Sequence, residues 1–115
     1  MTALATWPIV TGRATLALVV QFDATGLCPC TGNPQPASTA SVAYTPRGVA
    51  LKPETIRPAL LAIAKAEPRD GSMEGIFAQL AEACSDALGV AVALTIAAQL
   101  HDGSVQTMHY AVAPQ

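Results

Sequence analysis

Apolar and polar residues alternate along three stretches of the chain, which is the pattern of β-strands with one buried face. In residues 14–23 all of the even-numbered positions are apolar, from alanine at 14 to phenylalanine at 22. Residues 38–45 alternate in the same way up to Tyr44, and residues 90–101 carry valine, leucine, isoleucine or alanine at every even position. The alternation predicts three strands that each turn one face toward a core.

A hairpin is predicted at the end of the third stretch. Asp102-Gly103 is a favoured pair for a two-residue turn, and residues 105–112 then return as a fourth strand. With a turn of this length, His109 would lie opposite Ile96 and His101 would point to the other face of the sheet. We therefore expect His109 to be packed against the core.

The hydrophobic spacing changes to a helical period in the middle of the chain. It predicts one helix over residues 55–66 and a second over residues 72–88, which ends at Gly89, a natural C-terminal cap. Asp70 or Ser72 would cap the start of the second helix. A proline at position 58 requires the first helix to begin late or to bend.

The predicted order is strand, strand, helix, helix, strand, strand, in a single domain over residues 1–115. This order indicates an α+β fold, with a four-stranded antiparallel sheet and both helices on one face. Residues 1–12 form an N-terminal segment, and residues 24–37 form a loop between the first two strands. Such a sheet ends in open edges, and only 12% of the residues are charged, where about 25% is typical. We therefore expect neighbouring subunits to continue the sheet.

Charge and hydropathy limit the kinds of partner. The net charge is −2 and the six Lys and Arg residues are scattered, so no basic surface for nucleic acid is evident. We expect nucleic acid at most as the carrier of a modified base. No run approaches the roughly 20 apolar residues of a membrane span, and residues 1–8 lack the pattern of a secretory signal. A cytoplasmic location without a membrane partner is the expectation.

Residues 26–34 read Gly-Leu-Cys-Pro-Cys-Thr-Gly-Asn-Pro, and this density of glycine and proline predicts a rigid, shaped loop. Cys28 and Cys30 are too close in sequence to form an unstrained disulfide, so all cysteines are taken as reduced. Cys28 is either a nucleophile or a small apolar residue in a turn. Cys30 is a weak candidate for a metal ligand, because further ligands at zinc spacings are missing. Cys84 lies on the apolar face of the second helix and is expected in the core.

Glu74 lies in the first turn of the second helix, where free N–H groups and the helix dipole favour a carboxylate. It either caps the helix or accepts two N–H bonds from the flat edge of an amidine-like ligand. Four basic residues near the ends of elements either bind a phosphate or carboxylate or, as we interpret them, lie at the surface: Arg47, Lys52, Arg57 and Arg69.

The loop at residues 26–34, followed by a strand that ends Ala-Tyr-Thr-Pro, resembles the catalytic-cysteine segment of the QueF family of nitrile reductases. Those enzymes belong to the tunnelling fold (T-fold), whose unit is two strands, two helices and two strands. The resemblance implies that several units join their sheets into a barrel around a tunnel, with active sites where subunits meet. It also implies a small heterocycle of the 7-cyano-7-deazaguanine class, a 7-deazapurine or a pterin, as the substrate.

Specific roles follow from the same resemblance. Cys28 matches the cysteine that attacks the nitrile and forms a covalent thioimide, and Glu74 matches the carboxylate that anchors the purine-like edge. Met73 and Tyr44 are expected to contact the substrate. Gln35 occupies the position of an aspartate that transfers protons in the family, and is expected to hydrogen-bond the imide nitrogen.

The departures from the family pattern shape the expected reaction. Met73 stands where the reductases have histidine, and residues 51–56 lack their nicotinamide-binding pattern, which favours amidino transfer or aminolysis without a cofactor over reduction by NADPH. An NADPH-dependent nitrile reductase stays an alternative. Cys28-Pro29-Cys30 also resembles type IB GTP cyclohydrolases, which would imply zinc. A non-catalytic oligomer that binds purines or pterins is the remaining alternative.

Overall fold

Four strands, two helices and two further strands follow one another through the part of the chain that this computed structural model describes, residues 4–66 and 71–115. The elements follow one another as β1 (Thr6–Pro8), β2 (Leu18–Gln21), β3 (Thr39–Tyr44), β4 (Val49–Leu51), α1 (Ile56–Lys65), α2 (Met73–Leu88), β5 (Val92–Gln99) and β6 (Val105–Val112). A short 3-10 turn, Pro53–Thr55, leads into α1. The fold is α+β, as predicted.

The main sheet is antiparallel and has four strands in the order β2-β3-β5-β6. Its even-numbered residues on β3 and β5 are buried, as their alternation predicts. Helix α2 packs against β5 and β6, and α1 packs against α2. Sheet and helices meet in one core, whose fully buried side chains include Val42, Leu60, Phe77, Leu80, Leu94 and Ile96.

A second, two-stranded sheet pairs β1 with β4 and was not predicted. Each strand has only three residues, which is too short for alternation to be recognised. The N-terminal segment therefore contains a strand of its own. The strand predicted over residues 14–23 is also shorter than expected, since only Leu18–Gln21 pairs with β3.

The helix boundaries agree closely with their sequence signals. Pro58 lies in the first turn of α1, where its missing N–H costs no helical hydrogen bond. The Ser72 hydroxyl accepts the amide hydrogen of Gly75 at 2.9 Å and caps α2. Gly89 ends α2 with φ +69°, a left-handed conformation that glycine adopts without strain. The alternative cap, Asp70, and the basic residue Arg69 lie outside the described residues.

The predicted register of the β5–β6 hairpin was wrong by one residue. Leu100 and Ser104 close the loop through a 2.9 Å hydrogen bond, so the turn has three residues rather than two. A side-chain oxygen of Asp102 accepts the amide hydrogen of Ser104 at 2.9 Å, and Gly103 has φ +89°, which suits a three-residue turn ending in a glycine bulge. His109 therefore lies opposite Thr95 and is exposed, not packed against the core.

No helix in the two described ranges is long and apolar enough to cross a membrane.

Candidate functional site

The residues at 26–34, called the cysteine loop below, are closed on themselves by main-chain hydrogen bonds. The amides of Leu27 and Cys28 both donate to the carbonyl oxygen of Asn33 at 2.9 Å. The Cys28 carbonyl in turn accepts the amide hydrogen of Gly32 at 2.7 Å. Residues 28–32 thus form a single tight turn, with Cys28 at its start.

This turn stabilises the thiolate form of Cys28. Hydrogen bonds from the Thr31 hydroxyl, the Thr31 amide and the Cys30 amide lower the pKa of the Cys28 thiol below its ordinary value. The arrangement resembles a helix N-cap, in which a side chain at the start of a turn accepts the free amide hydrogens that follow it. Because the thiolate is the nucleophilic form of cysteine, the turn favours a reactive Cys28.

Cys28 lies in the wall of a cavity of about 540 Å³, which is large enough for a small heterocycle. Most of the wall is apolar and comes from the cysteine loop, both helices and the end of β5. The lining residues are Leu27, Cys28, Pro29, Thr31, Asn33, Ala64, Gly71, Met73, Ile76 and Leu100. The structure therefore brings together Cys28 and Met73, two of the predicted site residues.

Glu74 does not line this cavity, although it follows Met73 directly. Its side chain is exposed, and its Oε2 atom accepts a hydrogen bond from Gln106 Nε2 at 3.3 Å. The main-chain oxygen of Glu74 accepts a hydrogen bond from the Tyr110 hydroxyl at 2.8 Å. Both contacts tie the start of α2 to the edge strand β6, so the carboxylate faces outward beside the cavity.

Gln35 directly follows the cysteine loop, and its side chain donates hydrogen bonds to residues of that loop. Its Nε2 atom donates to the main-chain oxygen of Thr31 at 2.7 Å and to Oδ1 of Asn33 at 3.1 Å. Its main-chain amide donates to the Gln99 carbonyl at 2.7 Å. These contacts brace the turn that carries Cys28 and direct the Gln35 amide hydrogens into the loop.

Tyr44 lies in the core, with 5% of its surface exposed. Its hydroxyl accepts the buried amide hydrogen of Leu51 at 2.9 Å and so joins the end of β3 to β4. This contact places the phenol among the structural groups of the core, away from the cavity beside Cys28.

Sequence reasoning missed the contact between Asn33 and His101. Oδ1 of Asn33 accepts the His101 amide hydrogen at 2.7 Å, and Nδ2 of Asn33 lies 3.0 Å from Nδ1 of the His101 ring. The signal that could have found it is the strand order. Because β3 and β5 are antiparallel neighbours, the loop before β3 and the turn after β5 meet at one end of the sheet.

The other thiols differ from Cys28. Cys30 is exposed, whereas Cys84 is buried on α2, as predicted, and burial raises the pKa of its thiol to about 12. Within the described residues, no three His, Cys, Asp or Glu side chains are grouped so that they could hold a metal ion.

Comparisons with protein-family models, with curated proteins and with solved structures find no match to this chain.

Proposed function

We propose that the chain is a T-fold enzyme whose Cys28 thiolate adds to the nitrile carbon of a flat heterocycle of the 7-cyano-7-deazaguanine class. The observation that carries the proposal is a thiol of lowered pKa in the wall of a mostly apolar cavity of suitable size. The resemblance of residues 26–34 to the QueF cysteine segment supports the choice of electrophile.

The proposed chemistry has two steps. First, the Cys28 sulfur bonds to the nitrile carbon, the carbon–nitrogen triple bond becomes a double bond, and the nitrogen takes up one proton, which gives a neutral thioimide. Second, ammonia or a primary amine adds to the same carbon, the carbon–sulfur bond breaks, and the thiolate leaves with its electron pair. The product is a protonated amidine (an amidinium), which keeps the hydrogens of the attacking amine and balances the charge of the released thiolate, and neither step needs an oxidant or a reductant.

The cavity supplies binding and orientation. Apolar side chains such as Met73 and Ile76 contact the faces of the ring, and the Thr31 hydroxyl lies in the same wall as the reacting sulfur. Gln35 supports the loop instead of touching the imide nitrogen, since its amide hydrogens already have acceptors there. The proton on the imide nitrogen therefore comes from water, because the attacking thiolate has none to give.

In this proposal, Glu74 contacts the substrate at the interface between subunits of the oligomer. In a T-fold barrel the site is completed where subunits meet, and an exposed carboxylate beside the cavity is placed to contact a ligand that extends into such an interface. Two features support self-association: the main sheet ends in the open edges of β2 and β6, and its four strands contain no Asp, Glu, Lys or Arg.

Intact-mass spectrometry after incubation with 7-cyano-7-deazaguanine tests the proposal. We expect an adduct of one ligand mass that is absent in Cys28→Ala and present in the matched control Cys30→Ala. Added ammonia should release the adduct as the amidine. Wild-type protein that shows no adduct, or an adduct that persists in Cys28→Ala, would refute the nucleophilic role.

A second candidate is a binding protein without chemistry, and the contacts of Gln35 favour it. The side-chain amide of Gln35 cannot transfer protons at neutral pH, and both hydrogen bonds that its Nε2 atom donates go to the cysteine loop. This candidate predicts heat on titration with the nitrile in a calorimeter, equal affinity in Cys28→Ala, and no adduct.

A further inference from the structure

Asn33 connects the cysteine loop to the turn between β5 and β6. Its main-chain oxygen accepts the amide hydrogens of Leu27 and Cys28, each at 2.9 Å. Its side-chain oxygen accepts the His101 amide hydrogen at 2.7 Å, and its Nδ2 atom lies 3.0 Å from Nδ1 of His101. One residue thus holds both the chain segment that carries Cys28 and a turn 68 positions later.

The contacts define the orientation of both side chains. Because Oδ1 of Asn33 already accepts hydrogen bonds from the His101 amide and from Gln35 Nε2, the NH₂ group is the part that faces the imidazole ring. The ring atom Nδ1 must then be the acceptor, which leaves the ring hydrogen on Nε2. The contact therefore requires an acceptor at position 101 and a donor at position 33.

We infer that Asn33 and His101 are positioning residues for Cys28, which hold the cysteine loop in the conformation that directs the amides of Cys30 and Thr31 at the Cys28 sulfur. Asn33 directly follows the Gly32 amide that closes the turn onto Cys28, so a displacement of Asn33 opens the turn. The inference rests on the proposed role of Cys28 as a nucleophile, but its test does not use the nitrile.

Few titratable groups surround Cys28 on the described elements. Cys30 lies in the same loop, and His101 and Asp102 lie in the turn that packs against it. The cavity wall, as far as the structure describes it, contains no Asp, Glu, Lys or Arg. Among the described residues, the hydrogen bonds of the turn are therefore the main influence on the ionisation of Cys28.

The test is the pH profile of Cys28 alkylation by iodoacetamide, followed by intact mass in a Cys30→Ala background. His101→Ala and Asn33→Ala should raise the midpoint by about 0.5 to 1 pH unit, which is about three- to tenfold slower alkylation at neutral pH. His101→Asn keeps an acceptor close to the position of Nδ1 and should restore the parent profile. Thr31→Val, which removes a hydrogen bond to the sulfur directly, is the positive control.

His109→Ala is the matched negative control. His109 is an exposed histidine whose ring contacts Thr95 on the face of the main sheet that the helices do not cover. Circular dichroism confirms that each variant is folded. The inference is overturned if His101→Ala keeps the parent midpoint while Thr31→Val raises it, or if His101→Asn behaves like His101→Ala. Protein that shows the expected profile but forms no nitrile adduct would refute the proposed function and leave the positioning role intact.

Discussion

Tyr44 shows how one hydroxyl can decide between a structural and a ligand-binding role. Its phenol oxygen accepts the amide hydrogen of Leu51, a residue with 2% of its surface exposed. A buried amide that loses its acceptor retains the full cost of its removal from water. The contact therefore makes Tyr44 a residue on which the junction of β3 and β4 depends.

We expect Tyr44→Phe to lower the free energy of unfolding by about 1–3 kcal/mol, because the Leu51 amide is left without a partner. Urea denaturation measures this change. Tyr110→Phe is the control. It removes an exposed hydrogen bond from the Tyr110 hydroxyl to the main-chain oxygen of Glu74, and should change the free energy of unfolding by no more than about 0.5 kcal/mol. If Tyr44→Phe instead weakens ligand binding and leaves stability unchanged, the predicted substrate contact is correct and the structural role is wrong.

At the scale of single elements, helix α2 carries a thiol that couples stability to pH. Burial raises the pKa of Cys84 from 9.0 to about 12, so the folded chain keeps the proton over a range in which the unfolded chain loses it. The stabilisation from this group is fully present below about pH 9 and is lost as the pH rises toward 12. Cys84 therefore makes stability depend on pH only in the alkaline range, between about pH 9 and about pH 12.

Between about pH 8 and about pH 10.5, we expect the free energy of unfolding to fall by ~2 kcal/mol more in the parent protein than in Cys84→Ala. Urea denaturation at the two pH values gives the change in the free energy of unfolding for each protein. Subtracting one change from the other removes the contribution of the groups that titrate in both proteins. Equal pH dependence in the two proteins would show that the Cys84 thiol ionises as readily in the folded state as in the unfolded state.

The elements also show which features the sequence could predict. Alternation identified the buried faces of β3 and β5, because side chains on a strand point to opposite faces in turn. The caps of α2 followed from Ser72 and Gly89, whose roles depend on local chemistry alone. The register of the hairpin did not follow, because Asp102-Gly103 suits both a two-residue turn and the three-residue turn that the Asp102–Ser104 hydrogen bond selects.

The candidate site was only partly predictable. The spacing of residues 26–34 indicated a shaped loop around Cys28, and the position of Met73 at the start of α2 brought it to the same cavity. The pairing of Asn33 with His101 joins residues distant in sequence, so no local pattern shows it. The roles of Gln35 and Tyr44 could not be predicted either, because each depends on which acceptor or donor the folded chain places beside it.

At the scale of the whole molecule, the main sheet has one covered face and one exposed face. Helices and core cover the even-numbered side of β5, while β6 turns Val105, Thr107, His109 and Ala111 outward. The edge strand β6 is eight residues long and contains no proline and no Asp, Glu, Lys or Arg, the features that commonly protect a strand edge. In the proposed assembly, this edge pairs with another copy of the chain.

We expect the protein to sediment as an oligomer and Thr107→Lys to shift it toward smaller species, because a charge on the edge strand opposes pairing. Sedimentation velocity at several concentrations measures the change. Ala87→Lys adds the same charge at an exposed position near the end of α2 and should leave the oligomer intact. A parent protein that sediments as a monomer throughout would contradict the proposed barrel.

Pro34, which directly follows Asn33, protects that asparagine from a common form of chemical damage. Asparagine in a loop commonly deamidates when the main-chain nitrogen of the next residue attacks its side-chain carbonyl, and the next residue here is Pro34, which has no N–H. The side chain that contacts His101 is therefore protected from this route, whereas Asp102-Gly103 in the facing turn is a common site of isomerisation. During long storage, we expect damage to accumulate first in the turn and not in the loop that carries Cys28.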